Sequence, residues 1–288
     1  MNKNLKTHIE YLLCIKIVRI TAISGGDISS AFLLETDTER FFCKVNLSTT
    51  AFDMFQAEKA GLNTIALTKS IAVPKIFVYE HWETGSFLLM EYIEPKKPAP
   101  KDMELFGHEL AALHKFSIAE KFGWETDNFI GTLPQSNKTH ADWAHFFTLE
   151  RLLPQLKIAL ESGLLSLAEI PSKTKLLKTC GRFFPKTKPS LLHGDLWSGN
   201  YLIAQNGSPY LIDPAIYCGH HEVDVAMTRL FGGFDTSFYQ AYREHFPKIG
   251  GEIERNDIYQ LYFLLVHLNL FGHSYRDACR NSIKKYFT

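Results

Sequence analysis

The sequence predicts an α+β chain in two lobes, a small antiparallel sheet with one helix followed by a larger, mainly helical region. Three observations carry this. Short apolar runs divided by tight turns fill residues 17–93. The stretch Glu94-Pro95-Lys96-Lys97-Pro98-Ala99-Pro100 then places three prolines in seven residues and reads as a boundary. Beyond it the apolar spacing is mostly helical. The expected division is 1–94 for the sheet lobe, 95–100 for the hinge and 101–288 for the helical lobe. Such a plan leaves a cleft at the hinge, where ligand sites are common.

In order along the chain, residues 3–15 read as a short helix, with Leu5, Ile9, Leu12 and Leu13 on one apolar face. Ile20 to Ile23, Ala31 to Thr36 and Arg40 to Val45 read as three strands, joined through Ser24-Gly25-Gly26-Asp27 and Asp37-Thr38-Glu39. Phe52 to Leu67 follows as a helix and Pro74 closes that region. Lys75 to His81 and Ser86 to Ile93 complete a five-stranded sheet around the turn Glu83-Thr84-Gly85. Past the hinge, helices are expected over Asp102 to Phe116, Trp143 to Leu160 and much of 222–286. Tyr201 to Ala204 and Tyr210 to Ile212 form a hairpin through Asn206-Gly207, the dipeptide best suited to a tight turn with positive φ.

Composition narrows the function classes. The 288 residues are 45% hydrophobic and 22% charged, with 31 basic against 31 acidic residues, the balance of an ordinary folded domain. A net charge of zero gives no global reason to bind nucleic acid or an anionic membrane. No run approaches the roughly 20 apolar residues of a membrane span. His8, Glu10, Lys16 and Arg19 break up any signal-peptide core. The five cysteines are dispersed with no C-x-x-C pair, so each is expected to be a small buried hydrophobe in a reducing compartment. A soluble, cytoplasmic, globular protein is expected, with no nucleic-acid or membrane partner.

The strongest chemical signal is His193-Gly194-Asp195-Leu196-Trp197-Ser198-Gly199-Asn200. An aspartate followed five residues later by an asparagine is the relation of phosphotransfer loops, H-R-D-x-x-x-x-N. The aspartate accepts the proton of an incoming hydroxyl, and the asparagine oxygen holds magnesium beside the phosphates. Asp213, eighteen residues on in Leu211-Ile212-Asp213-Pro214-Ala215, follows a short strand as a second metal-binding aspartate would. Either aspartate alone reads better as a turn or cap residue; the set does not.

The first lobe supplies matching parts. Lys44 lies in an apolar strand, where an ammonium needs a partner. Glu58, fourteen residues on in the next helix, is the candidate, and the pair would orient Lys44 onto nucleotide phosphates. The alternative is a lysine facing solvent from an edge strand. Cys43 is adjacent, but neighbouring residues on a strand face opposite ways. Gly25 and Gly26 allow backbone N–H groups to approach phosphate oxygens, or form a plain hairpin turn. Glu91, Tyr92 and Ile93 fall where the last strand meets the hinge, positioned for backbone bonds to an adenine edge.

These residues resemble the fructosamine kinase (ketosamine-3-kinase) family, relatives of aminoglycoside and choline kinases with a protein-kinase-like fold. The resemblance also runs through Phe122-Gly123-Trp124, Asp127-Asn128-Phe129-Ile130-Gly131 and Pro134-Gln135-Ser136-Asn137. It continues in Asp213-Pro214-Ala215-Ile216-Tyr217, Gly219-His220-His221-Glu222-Val223-Asp224 and Leu230-Phe231-Gly232-Gly233-Phe234, covering nearly the whole chain. It implies transfer of the ATP γ-phosphate to a sugar hydroxyl, usually the 3-hydroxyl, of a ketosamine or glycated lysine, promoting deglycation. By position it implies Asp195 as proton acceptor, and Asn200 and Asp213 as Mg2+ ligands. Lys44 and Glu58 become the phosphate-orienting pair, Glu91 to Ile93 the adenine contact, and Asp224 a buttress of the catalytic loop. Trp197 is a candidate wall for the sugar or a core residue stiffening the loop, and His193 a candidate substrate contact. One departure stands out: His221 occupies a position where the family usually has arginine, a change that removes a permanently charged five-donor group.

Overall fold

The structure is a computed structural model and describes residues 1–23, 28–116 and 119–287. The chain opens with α1 (Lys3–Leu13), whose first turn is capped by Asn2: the Leu5 amide donates to Asn2 Oδ1 at 2.8 Å. There follow β1 (Arg19–Ile23), β2 (Ser30–Glu35), β3 (Arg40–Asn46), α2 (Ala51–Thr68), β4 (Ile76–Trp82) and β5 (Gly85–Glu91). The five strands form one sheet in the order β1-β2-β3-β5-β4, every neighbouring pair antiparallel.

Strand alternation gives this sheet two apolar faces. On one, Phe41, Cys43, Phe87 and Leu89 pack against Leu5 and Ile9 of α1. On the other, Leu88 and Met90 pack against Phe55 of α2, with Phe42 at the margin. Lys44 therefore shares the α2 face with Phe42, because side chains two apart on a strand point the same way.

Beyond residue 97 come α3 (Pro100–Lys115), β6 (Asn128–Ile130), β7 (Leu133–Gln135) and α4 (Trp143–Phe146). A π-helical segment, Phe147–Leu152, links α4 to α5 (Leu153–Glu161). The single helix expected over 143–160 is thus divided. Pro154 lies inside it and has no N–H to donate, and the backbone absorbs the loss in a wider turn. Next are α6 (Lys173–Phe183), β8 (Ser190–Leu192), β9 (Tyr201–Ile203), β10 (Pro209–Leu211) and β11 (Tyr217–Gly219). The last four helices are α7 (Glu222–Leu230), α8 (Thr236–His245), α9 (Glu252–Phe271) and α10 (Arg276–Tyr286). Asn206-Gly207 turns the β9–β10 hairpin as expected, with Gly207 at φ +92°.

The chain divides into two compact units, Met1–Lys97 with Leu202–Asp213, and Pro98–Tyr201 with Pro214–Thr288. The hairpin segment, which the sequence reading placed in the helical lobe, clusters with the sheet. Its backbone explains this: Lys96 N–H donates to Ile203 O at 2.8 Å and Leu211 N–H to Ala72 O at 2.9 Å. In the second unit α9 is largely buried along its middle, with Ile258, Tyr259, Leu261, Tyr262, Phe263 and Leu265 in the core. All five cysteines are free; four are buried, whereas Cys14 is exposed, contrary to expectation. No described helix is long and apolar enough to cross a membrane.

Candidate active site

In the first unit, strand β3 delivers Lys44 to α2. Its ammonium donates to Glu58 Oε1 at 2.8 Å and also to Asp213 Oδ1, with the lysine side chain only 13% exposed. Two carboxylates thus compensate one nearly buried ammonium, and the edge-strand alternative does not apply. Asp213 sits just past β10 at φ +55°, a left-handed conformation that aspartate tolerates better than most residues. The proline after it disfavours the right-handed helical region at this position. At the end of β5, Glu91 is tied to Lys75: its amide donates to Lys75 O at 2.8 Å and its Oε2 accepts the Lys75 amide at 3.2 Å. The Arg40 guanidinium covers the Tyr92 ring at 5.0 Å, and Ile93 is buried. Gly25 and Gly26 lie outside the described residues.

In the second unit, β8 leads into the loop 193–200 and pairs antiparallel with β11, Leu192 opposite Tyr217. Gly194 has φ +88°, and a Cβ there would come 2.1 Å from the carbonyl oxygen of Ala215. Only glycine fits this crossing. The Asn200 amide closes the loop by donating from Nδ2 to Asp195 O at 2.8 Å and to Asp195 Oδ2 at 3.1 Å. Burial pushes the Asp195 carboxyl up to about 7; the Asn200 bond opposes this and the Asp224 charge adds to it.

Asp224, fully buried in α7, accepts the backbone N–H of His193 at 2.7 Å and of Gly194 at 2.9 Å. Its carboxyl faces His114 Nε2 at 3.1 Å. Burial would raise it, but the bond from His114 and the neighbouring histidines and amides outweigh that and hold it below the usual carboxylate range. His193 is itself fully buried, and its Nδ1 accepts the Asp195 N–H at 3.2 Å. Trp197 packs on the core of this unit, edge-on to Phe231 at 6.5 Å, with its ring against Gly199.

Sequence reasoning missed His114, Tyr242, Asn128 and Gln135 as members of this framework. Gln135 Nε2 donates to Ala215 O at 3.2 Å, and Asn128 Nδ2 to Ile216 O at 2.8 Å. Tyr262 in turn donates to Gln135 Oε1 at 2.6 Å. The spacing of Phe106, Leu110 and His114, each four apart on α3 and each buried, was the available signal for His114.

Each unit has an oxygen of the kind magnesium takes. In the second, Asn200 commits its NH2 to Asp195, which leaves Oδ1 for a cation; in the first, Asp213 offers a carboxylate. Carboxylate and amide oxygens are ligand types that magnesium accepts, the rest of its shell coming from phosphate and water. Among the described residues no group of three or more His, Cys, Asp or Glu forms an all-protein metal cage.

One unit with a five-stranded antiparallel sheet and a nearly buried Lys–Glu pair, and another, mainly helical, with an Asp-x-x-x-x-Asn loop, define a phosphotransferase of the kinase-like class. The chain belongs to the fructosamine kinase family: the family's sequence model, described as Fructosamine kinase, matches residues 1–288. It is 37% identical over 273 residues to the "Probable ketoamine kinase VP1481" of Vibrio parahaemolyticus, covering 94% of this chain and 93% of that one. It is 38% identical over 275 residues to the chloroplastic protein-ribulosamine 3-kinase of Arabidopsis thaliana, covering 94% and 83%. Among solved structures, the "Putative fructosamine-3-kinase" of Haemophilus somnus 129PT superposes with a TM-score of 0.87 at 29% identity, over 98% of this chain and 96% of that one. Aminoglycoside phosphotransferase APH(4)-Ia, at 14% identity and a TM-score of 0.67 over 98% of both chains, shares the fold.

Proposed function

We propose that this chain is an ATP- and Mg2+-dependent kinase that phosphorylates a sugar hydroxyl, the 3-hydroxyl, of a ketosamine such as a fructosamine or ribulosamine. The observation that carries the reading is the Lys44–Glu58 bond at 2.8 Å, made in a chain that matches the fructosamine kinase family from end to end. Lys44, held by Glu58, donates to the phosphate oxygens of ATP, and the backbone of Glu91 to Ile93 meets the adenine edge. Asp195 takes the proton of the acceptor hydroxyl as its oxygen bonds to the γ-phosphorus, while the bond to the β-phosphate oxygen breaks and ADP leaves. Asn200 Oδ1 and the Asp213 carboxylate would be the protein's Mg2+ ligands, and the ion would neutralise charge on the phosphates. His193 and Asp224 shape the loop behind Asp195, and Trp197 walls the sugar on its exposed side. A sugar 3-phosphate of this kind eliminates readily and frees the amine, so the product suits deglycation in the cytoplasm by a monomeric enzyme.

A coupled ADP-release assay with Mg-ATP, comparing fructoselysine, ribuloselysine, choline and an aminoglycoside, tests the reading. Turnover on a ketosamine that vanishes in Asp195→Ala is expected. Turnover on choline or the aminoglycoside alone would replace the substrate, and silence on all four with ATP bound would defeat the enzymatic reading.

A further inference from the structure

Asp224 collects two backbone amides of the catalytic loop, and a chain of side chains continues behind it. The far side of the His114 ring, Nδ1, lies 2.7 Å from the Tyr242 hydroxyl, and that hydroxyl lies 3.0 Å from His221 Nδ1. His114 comes from α3, Tyr242 from α8, and His221 from the residue preceding α7. Three separate elements are thereby tied to the loop through one line of polar atoms. His114 and Asp224 are fully buried in it, and Tyr242 is nearly so.

Proton counting constrains the line. Asp224 is ionised and can only accept, so His114 must present Nε2–H to it. The Tyr242 hydroxyl carries one proton, so it donates to one imidazole and accepts from the other. Desolvation, together with His114 and Arg255, pushes His221 down to about 3, so it enters the chain as a neutral ring with one donor nitrogen and one acceptor. Phe246 stacks on it at 4.0 Å and fixes its plane. An uncharged ring suits the site, because Arg255 next door is already engaged with Glu222 through bonds of 2.6 and 2.7 Å.

We propose that Tyr242 and His221 are positioning residues for the catalytic loop, holding the His114 ring so that its Nε2–H stays on Asp224 while Asp224 grips the amides of His193 and Gly194. The kinetic consequence rests on the phosphotransfer reading above; the hydrogen-bond consequence does not.

The test uses the full chain and three variants. Tyr242→Phe removes only the hydroxyl and keeps the ring that stacks on Phe246 at 5.3 Å. It is expected to lower kcat about tenfold with the KM for ATP within about twofold, the scale of one or two lost hydrogen bonds. Amide hydrogen exchange at His193 and Gly194, read by NMR without substrate, should speed up about tenfold while that of Leu265 in α9 is unchanged. His221→Asn retains an amide that can serve Tyr242 as donor or acceptor and should stay within about twofold of wild type. His221→Leu, similar in volume but apolar, should repeat the Tyr242→Phe losses. Unchanged exchange in Tyr242→Phe, equal acceleration at all amides, or identical behaviour of His221→Asn and His221→Leu would each overturn the proposal. If Tyr242→Phe does not fold, the His221 pair decides by the same readouts. Faster exchange at the two loop amides without turnover on any ketosamine would refute the substrate and sustain the positioning role.

Discussion

Replacing Asp195 by asparagine should abolish turnover and, in the same protein, raise stability at pH 8. The carboxyl is partly buried and rises from 3.8 to about 7, chiefly because desolvation disfavours its charge. Ionising it in the folded state therefore costs free energy that the unfolded chain does not incur. The sign follows: a raised carboxyl binds its proton more tightly when folded, so stability falls as pH climbs from about 4 to about 7. A shift of about three units at 1.36 kcal/mol each gives about 4 kcal/mol at pH 8. The same linkage leaves about 2 kcal/mol at pH 5 and under about 1 kcal/mol at pH 4. Asparagine is isosteric with the neutral acid and escapes the whole cost, and its side-chain oxygen can still accept from Asn200. Urea denaturation of both proteins at pH 8, 5 and 4, without Mg-ATP, measures the difference. In the wild type, kcat/KM should climb with pH up to about 7, since the base must be ionised in the free enzyme. An asparagine variant no more stable than wild type at pH 8, or one whose advantage does not shrink toward pH 4, would refute the claim that burial tunes Asp195.

Two other substitutions probe the rest of the framework. Lys44→Met should lower kcat/KM for ATP by about 100-fold, the usual loss for a single charge-stabilising donor. Steady-state kinetics with varied ATP measure it, and normal values would count against the Lys44–Glu58 pair as a phosphate holder. Gly194→Ala should destabilise the fold by about 2 kcal/mol or more, because φ +88° and the carbonyl of Ala215 leave no room for a methyl group. Its denaturation midpoint tests this, and an unshifted midpoint would mean that the loop adapts.

What could be read from the sequence was what depends on neighbours along the chain. Asn206-Gly207 announces a hairpin because the turn needs positive φ within two residues. Asp195 and Asn200 announce a phosphotransfer loop because both must project from one short turn. The five strands of the sheet were legible from period and punctuation for the same reason. Residues joined only by folding were not legible. His114 reaches Asp224 across 110 residues and Tyr242 across 128. Strands β8 and β11 have three residues each and pair across the catalytic loop, too short to show a period. The grouping of Leu202–Asp213 with the sheet likewise depends on bonds to Ala72 and Lys96 that no local pattern announces.

One pair of adjacent residues shows how far a local rule reaches once packing is added. Cys43 precedes Lys44, and adjacency alone would suggest a redox switch beside the lysine. Strand alternation sends the two side chains to opposite faces, and the packing gives each face its chemistry. Cys43 has no exposed surface and lies among Leu5, Ile9, Phe41 and Leu89, where desolvation pushes its thiol up to about 12. A thiol so protonated and so covered has neither the thiolate nor the access that oxidation requires. Lys44, one residue on, meets Glu58 and Asp213 on the other face. Strand β3 thus secures α1 with one side chain and presents the ammonium with the next. A change of register by one residue would put the charge under α1 and the thiol against α2, so the apolar cluster that fixes the register also fixes the chemistry.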